Sequence, residues 1–201
     1  MRNPSEARAK AEHPRGASRR AFLQGWVTAL GGLATARLLW PRSARAGTPE
    51  PGLVMVVRFS DAGERLKTVQ TPRIVKTDAE WRKQLTPNEF DITRRADTEM
   101  SFTGKYWNLH EPGLYRCVCC ANALFSSQTK FESGTGWPSF TAPIAPENVR
   151  ATRDDSLGMA RTAVSCTECD AHLGHVFNDG PAPTYLRYCM NSASLRFVRK
   201  V

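Results

Sequence analysis

The sequence predicts a small, mainly antiparallel β domain with a short helical N-terminal part. Three observations carry that prediction. Glycine and proline punctuate the chain densely beyond Arg95, from Gly104 and Pro112-Gly113 through Gly134, Gly136 and Pro138 to Gly180-Pro181, so long helices have no room. Short extended segments fit between these breaks, at Leu114–Cys117, Lys130–Ser133, Ala160–Cys166, His175–Phe177, Arg187–Met190 and Ser194–Val198. Two helix starts, at Thr77 and Thr86, both lie before this region.

The first 46 residues read as an address. Ser18-Arg19-Arg20-Ala21-Phe22-Leu23 precedes an apolar run from Trp26 to Ala36. That run is far short of the roughly 20 residues needed to cross a hydrocarbon core. Ala44-Arg45-Ala46 supplies a small-x-small cleavage site, which would start the mature chain at Gly47. The paired arginines resemble the twin-arginine export signal, an address and not an anchor. It implies export of a folded protein to a bacterial periplasm.

Charge follows the same division. Residues 1–46 carry nine Lys/Arg against two acids, or +7 of the total +9, and the remaining 155 residues carry only +2. So nearly neutral a body gives no reason to expect a phosphate-binding surface or a nucleic-acid partner.

Residues 47–76 read as an extension or linker before a domain spanning 77–201. Within the extension, the β-branched run Leu53 to Phe59, the turn Asp61-Ala62-Gly63 and a second extended stretch from Leu66 to Val75 could form a hairpin. Thr77-x-x-Glu80 and Thr86-Pro87-Asn88-Glu89 have the capping-box spacing, in which a Thr hydroxyl accepts from an orphan amide and the Glu reaches back.

The six cysteines sort by chemistry. Cys117-x-x-Cys120 and Cys166-x-x-Cys169 form two knuckles 45 residues apart, suited to one tetrahedral zinc held by four thiolates. Disulfides are the alternative in an exported chain, with 15 possible pairings of six cysteines. Folded export removes the obstacle to loading a metal, which favours zinc as a structural staple. Cys189 stands apart. Extended geometry puts Arg187 and Asn191 on its face of the strand, and a neighbouring guanidinium favours thiolate, the attacking form. His172, His175 and Asp179 lie just upstream, a pattern suited to a nucleophile with acid–base partners. A zinc-ribbon binding module and a disulfide-stapled scaffold are the competing classes.

These residues carry a resemblance. Phe102-Thr103-Gly104, Gly134-Thr135-Gly136-Trp137-Pro138-Ser139-Phe140, His172-Leu173-Gly174-His175-Val176-Phe177 and Arg187-Tyr188-Cys189-Met190-Asn191 resemble the B-type methionine sulfoxide reductases, peptide-methionine (R)-S-oxide reductases. The resemblance runs from about Thr77 to Val201 and leaves Leu53 to Val75 outside it. It implies two packed antiparallel sheets, a structural Zn2+ on Cys117, Cys120, Cys166 and Cys169, and Cys189 as nucleophile. His172, His175, Asp179, Arg187 and Asn191 would surround that nucleophile, while Trp137 and Phe177 would receive the substrate's methyl group. Oxidised proteins or peptides are the implied substrates of a monomeric enzyme.

Thr135 departs from the pattern. Many members of the family place a resolving cysteine there, and threonine cannot form that disulfide. Cys119 is the spare thiol, expected to be a bystander beside the zinc. Recycling is therefore expected to use an external thioredoxin-like or other dithiol donor.

Overall fold

The computed structural model describes residues 52–200 except 157 and 159. The export signal and cleavage site expected in 1–46 lie outside the described residues.

Strands β1 (Leu53–Phe59) and β2 (Arg65–Pro72) pair antiparallel, which makes the expected hairpin. Its turn places Gly63 at φ +84°, a conformation glycine adopts at no steric cost. Two short helices follow, α1 (Asp78–Gln84) and α2 (Pro87–Arg95). Both capping boxes are formed, with Thr77 Oγ1 accepting from Glu80 N and Thr86 Oγ1 from Glu89 N, each at 3.3 Å. Trp81, Phe90 and Ile92 are the apolar positions these helices bury.

The remainder is β structure: β3 (Gly113–Cys117), β4 (Ala123–Ser126), β5 (Lys130–Phe131), β6 (Ser139–Phe140), β7 (Val149–Asp154), β8 (Arg161–Cys166), β9 (His172–Phe177), β10 (Arg187–Met190) and β11 (Leu195–Arg199). One sheet has the order β5-β6-β10-β9-β8-β7 and another the order β11-β3-β4, with antiparallel pairing throughout. Beyond Arg95 the helical turns are 3-10 turns of three residues, as the Gly/Pro punctuation requires. The expected mainly β architecture is present, with the hairpin as an additional two-stranded sheet.

The core lies between the two larger sheets. Phe125 stacks on Phe140 at 4.5 Å between ring centroids, and Tyr115 meets Phe140 edge-on at 5.0 Å. Leu124, Val164, Leu173 and Met190 are fully buried around them. Two placements matter for the site. Gly174 on β9 sits at φ +154°, and a Cβ there would collide with the Cys189 carbonyl oxygen, so a glycine lets β10 come this close. Ser139 on β6 is the cross-strand partner of Cys189, and His175 on β9 is its partner on the other side.

Candidate functional site

The two knuckles are built alike. In each, the first cysteine ends a strand and its carbonyl accepts from the residue after the second cysteine: Ala121 N to Cys117 O at 2.8 Å, and Asp170 N to Cys166 O at 2.9 Å. Ala121 and Asp170 both take positive φ, 63° and 56°, which turns the chain back over the sulfurs. The four sulfurs of Cys117, Cys120, Cys166 and Cys169 all lie within 4.8 Å of one another. Cys117 Sγ is 3.6 Å from Cys169 Sγ, and Cys120 Sγ is 3.6 Å from Cys166 Sγ. Tetrahedral zinc with Zn–S near 2.3 Å puts its sulfurs about 3.8 Å apart, so the set fits that ion. Asn122 Nδ2 approaches Cys166 Sγ at 3.8 Å, as expected of a group that orients a thiolate ligand. The six cysteines are all unbridged. Cys119 is buried beside the knuckles, where its carbonyl accepts from Gln84 of α1.

The second cluster lies at the middle of the six-stranded sheet. Cys189, His175, Asn191, Trp137 and Phe177 line one cavity of ≈ 160 Å³, together with Thr98, Arg161 and Gly174. The Trp137 indole and the Phe177 phenyl ring are its two aromatic walls. Trp137 is oriented by its Nε1–H, which donates to Glu99 O at 3.1 Å. Asn191 joins three segments: its Oδ1 accepts from Glu99 N at 3.1 Å, and its Nδ2 donates to Leu173 O at 3.3 Å. Glu99 in turn caps the following 3-10 turn, its carboxylate accepting from the backbone amides of Ser192 and Ala193.

Three of the expected residues stand behind the cavity. Arg187 stacks its guanidinium 4.5 Å from the centre of the Phe177 ring and forks onto Asp179 at 2.9 and 2.8 Å. Asp179 is exposed, and its contact is with Arg187 and not with Cys189, so it positions a cation. His172 packs edge-on against His175 with 5.4 Å between ring centroids. Burial pushes the His172 imidazole down to about 4, with His175 adding to the effect, so His172 is neutral near pH 7.

Sequence reasoning missed the partner of His175. His175 Nε2 lies 2.7 Å from Asp154 Oδ2, and Arg161 Nη2 binds the same oxygen at 2.8 Å. The bonds from Ser156 and His175 hold the Asp154 carboxyl well below the ordinary carboxylate range. An anionic acceptor places the His175 proton on Nε2 and orients the ring.

The state of Cys189 corrects an expectation. Burial pushes its thiol above the ordinary cysteine value, and the Arg187 charge opposes this without overcoming it. The free protein therefore holds Cys189 as a thiol at neutral pH. A hydroxyl chain agrees. Ser139 Oγ donates to Trp137 O at 3.2 Å, which uses its one proton. Ser133 must then donate to Ser139 at 2.8 Å, and Thr135 to Ser133 at 2.8 Å. The Thr135 oxygen, 4.0 Å from Cys189 Sγ, is left as an acceptor for the S–H.

A larger cavity of ≈ 700 Å³ lies between α2, the Glu99–Tyr106 segment and Leu195. It contains none of the expected site residues.

Comparison with known proteins agrees with this geometry. The SelR domain matches residues 85–199. The peptide methionine sulfoxide reductase MsrB of Herminiimonas arsenicoxydans is 59% identical over 127 residues, covering 63% of this chain and 93% of that protein. The MsrB of Synechococcus sp. (strain RCC307) is 53% identical over 134 residues, 67% of this chain and 98% of that one. The MsrB of Agrobacterium fabrum is 51% identical over 132 residues, 66% and 98% of the two chains. This chain belongs to the SelR-domain family of MsrB-type peptide methionine sulfoxide reductases.

Proposed function

We propose that this protein reduces methionine-R-sulfoxide in oxidised proteins and peptides, with Cys189 as nucleophile. The observation that carries the reading is the cavity itself: one cysteine, one carboxylate-paired histidine and two aromatic walls converge on a space of ≈ 160 Å³. A methionine sulfoxide end has a small methyl, an electrophilic sulfur and a polar oxygen. Trp137 and Phe177 take the methyl, which fixes where the oxygen and lone pair face and so favours one epimer.

The chain's residues then divide the work. Cys189 gives its proton to His175 as the sulfoxide docks, and the thiolate attacks the substrate sulfur. His175 returns a proton to the departing oxygen, with Asp154 stabilising the imidazolium between these steps. The substrate's sulfur–oxygen bond breaks, and one forms on Cys189. Thiol and sulfoxide become sulfenic acid and thioether, with no net proton taken from solvent. His172, neutral and outside the cavity lining, is not the donor. Arg187, held by Asp179, supplies charge beside the sulfur.

Recycling follows from position 135. With threonine there, an external dithiol reduces the sulfenic acid directly, giving a disulfide on the donor, water and the Cys189 thiol. The four knuckle cysteines hold one structural zinc, which staples the loop-rich side of the fold and takes no part in turnover. Export by the twin-arginine route to a periplasm is the matching proposal for residues 1–46. Arg19→Lys combined with Arg20→Lys should then leave precursor in the cytoplasm.

Turnover of separated R- and S-sulfoxide peptides with a small dithiol tests the activity. Turnover of the R form with little or none of the S form is expected. Equal turnover of both would overturn the epimer assignment.

A further inference from the structure

The β1–β2 hairpin precedes the SelR match, which starts at residue 85, and the proposed chemistry makes no use of it. Its polar contacts concentrate on the two knuckles. Arg58 Nη1 and Nη2 fork onto the Glu168 carboxylate at 2.7 and 2.5 Å, and Glu168 is only 4% exposed. The amide of Ile74, just beyond β2, donates to Glu168 O at 2.8 Å. Arg73 Nη1 binds Asp170 Oδ2 at 2.6 Å. Glu168 and Asp170 are the two residues flanking Cys169.

The other knuckle is gripped from the same hairpin. Arg116 Nη2 donates to Phe59 O at 3.0 Å and Ser60 O at 3.1 Å. Its Nη1 donates to Ala121 O, next to Cys120, at 3.2 Å. Between the knuckles, Val57 exchanges two hydrogen bonds with the buried Asn148 side chain, 2.7 and 2.8 Å. Asn148 O accepts in turn from Thr167 N at 3.1 Å and Asn122 Nδ2 at 3.3 Å.

We propose that this hairpin is a clasp on the metal centre, holding the two knuckles closed. The inference rests on the structural-zinc reading. Cys117, Cys166 and Cys169 are buried, so a chelator or a peroxide reaches their sulfurs by opening a knuckle, and each knuckle is tied to the hairpin by backbone and side-chain bonds. Peroxide attack would turn two thiolates, one H2O2 and two protons into a disulfide and two waters, and would eject the zinc.

The test uses full-length zinc-loaded protein, its zinc content measured first. Zinc transfer to a colorimetric chelator is then followed with and without H2O2. Arg58→Gln should release zinc about tenfold faster in both conditions, within the range found when groups behind metal ligands are removed. Arg58→Lys, which keeps the charge and loses the fork, should fall between the two. Arg73→Gln, on a more exposed contact, should accelerate release severalfold even if Arg58→Gln proves too unstable to purify. R-sulfoxide turnover by freshly loaded Arg58→Gln should match the wild type. Wild-type release rates in these variants would overturn the clasp and leave the zinc reading intact. A wild-type protein that holds no zinc would overturn both.

Discussion

Thr135 Oγ1 lies 4.0 Å from Cys189 Sγ and completes a hydroxyl chain through Ser133 and Ser139. A resolving cysteine would occupy this position, close enough to bridge, and the threonine occupies it with an oxygen. Thr135→Cys should therefore create an intramolecular disulfide with Cys189 after one turnover, since the backbone already brings the two side chains together. Peptide mass spectrometry checks the bridge. Cys119→Ser should leave turnover with a small dithiol nearly unchanged, because Cys119 is buried at the knuckles against Gln84 and not in the cavity. A Cys119–Cys189 bridge in the wild type would contradict direct recycling.

The pH dependence of stability reports on His172 and Asp154. His172 has its folded value depressed to about 4, so the unfolded chain binds the proton more readily between about 6.5 and 4. Stability from His172 is full above about pH 6.5 and falls as the pH drops towards 4. Asp154 acts in the same sense at lower pH: its depressed carboxyl contributes stability above about 3.8 that is lost on further acidification. Denaturant unfolding at a series of pH values should show a decline beginning near pH 6.5. His172→Gln should flatten that decline between 6.5 and 4 and keep the acid limb.

His175→Gln should lower kcat for the R-sulfoxide by about 100-fold, the lower end of what a positioned acid–base group supplies. Asp154→Asn should lower it less and shift the pH–rate profile, because the imidazole is retained without its anionic partner. An unchanged profile for Asp154→Asn would remove Asp154 from the proton path.

Local chemistry was legible in the sequence, and cross-strand chemistry was not. The capping boxes at Thr77 and Thr86 and the hairpin turn at Gly63 depend on neighbours within a few residues, and they formed as expected. The knuckles announced themselves by spacing, although only tertiary structure brings Cys117 beside Cys169. β7, Val149–Asp154, escaped notice because Val149-Arg150-Ala151-Thr152-Arg153-Asp154 is polar at most positions and is a strand by virtue of pairing with β8. Asp154 was lost with it. Glu99 was accessible in principle, three residues before Phe102-Thr103-Gly104, but its role depends on Trp137 and Ser192 far along the chain. The charge on Cys189 was misjudged because adjacency to Arg187 is visible in sequence and burial is not.

Removing a knuckle ligand should unsettle the fold more than the chemistry. Cys117→Ser, or the same change at Cys120, Cys166 or Cys169, should release zinc and cost several kcal/mol, since binding the metal is coupled to folding. Metal analysis and thermal melting check this together. Trp137→Ala should do the reverse, reducing kcat/KM for the R epimer about tenfold or more while zinc content stays at the wild-type level.

Cys189 as the attacking sulfur is the central claim, and a single-turnover experiment tests it most directly. Protein is mixed with one equivalent of R-sulfoxide peptide, without reductant, in the presence of a sulfenic-acid trap, and the products are mapped by mass spectrometry. One equivalent of reduced peptide and one trapped sulfenic acid on Cys189 are expected, with neither formed by Cys189→Ser. Reduced peptide from Cys189→Ser, or a trap located on any other cysteine, would contradict the account.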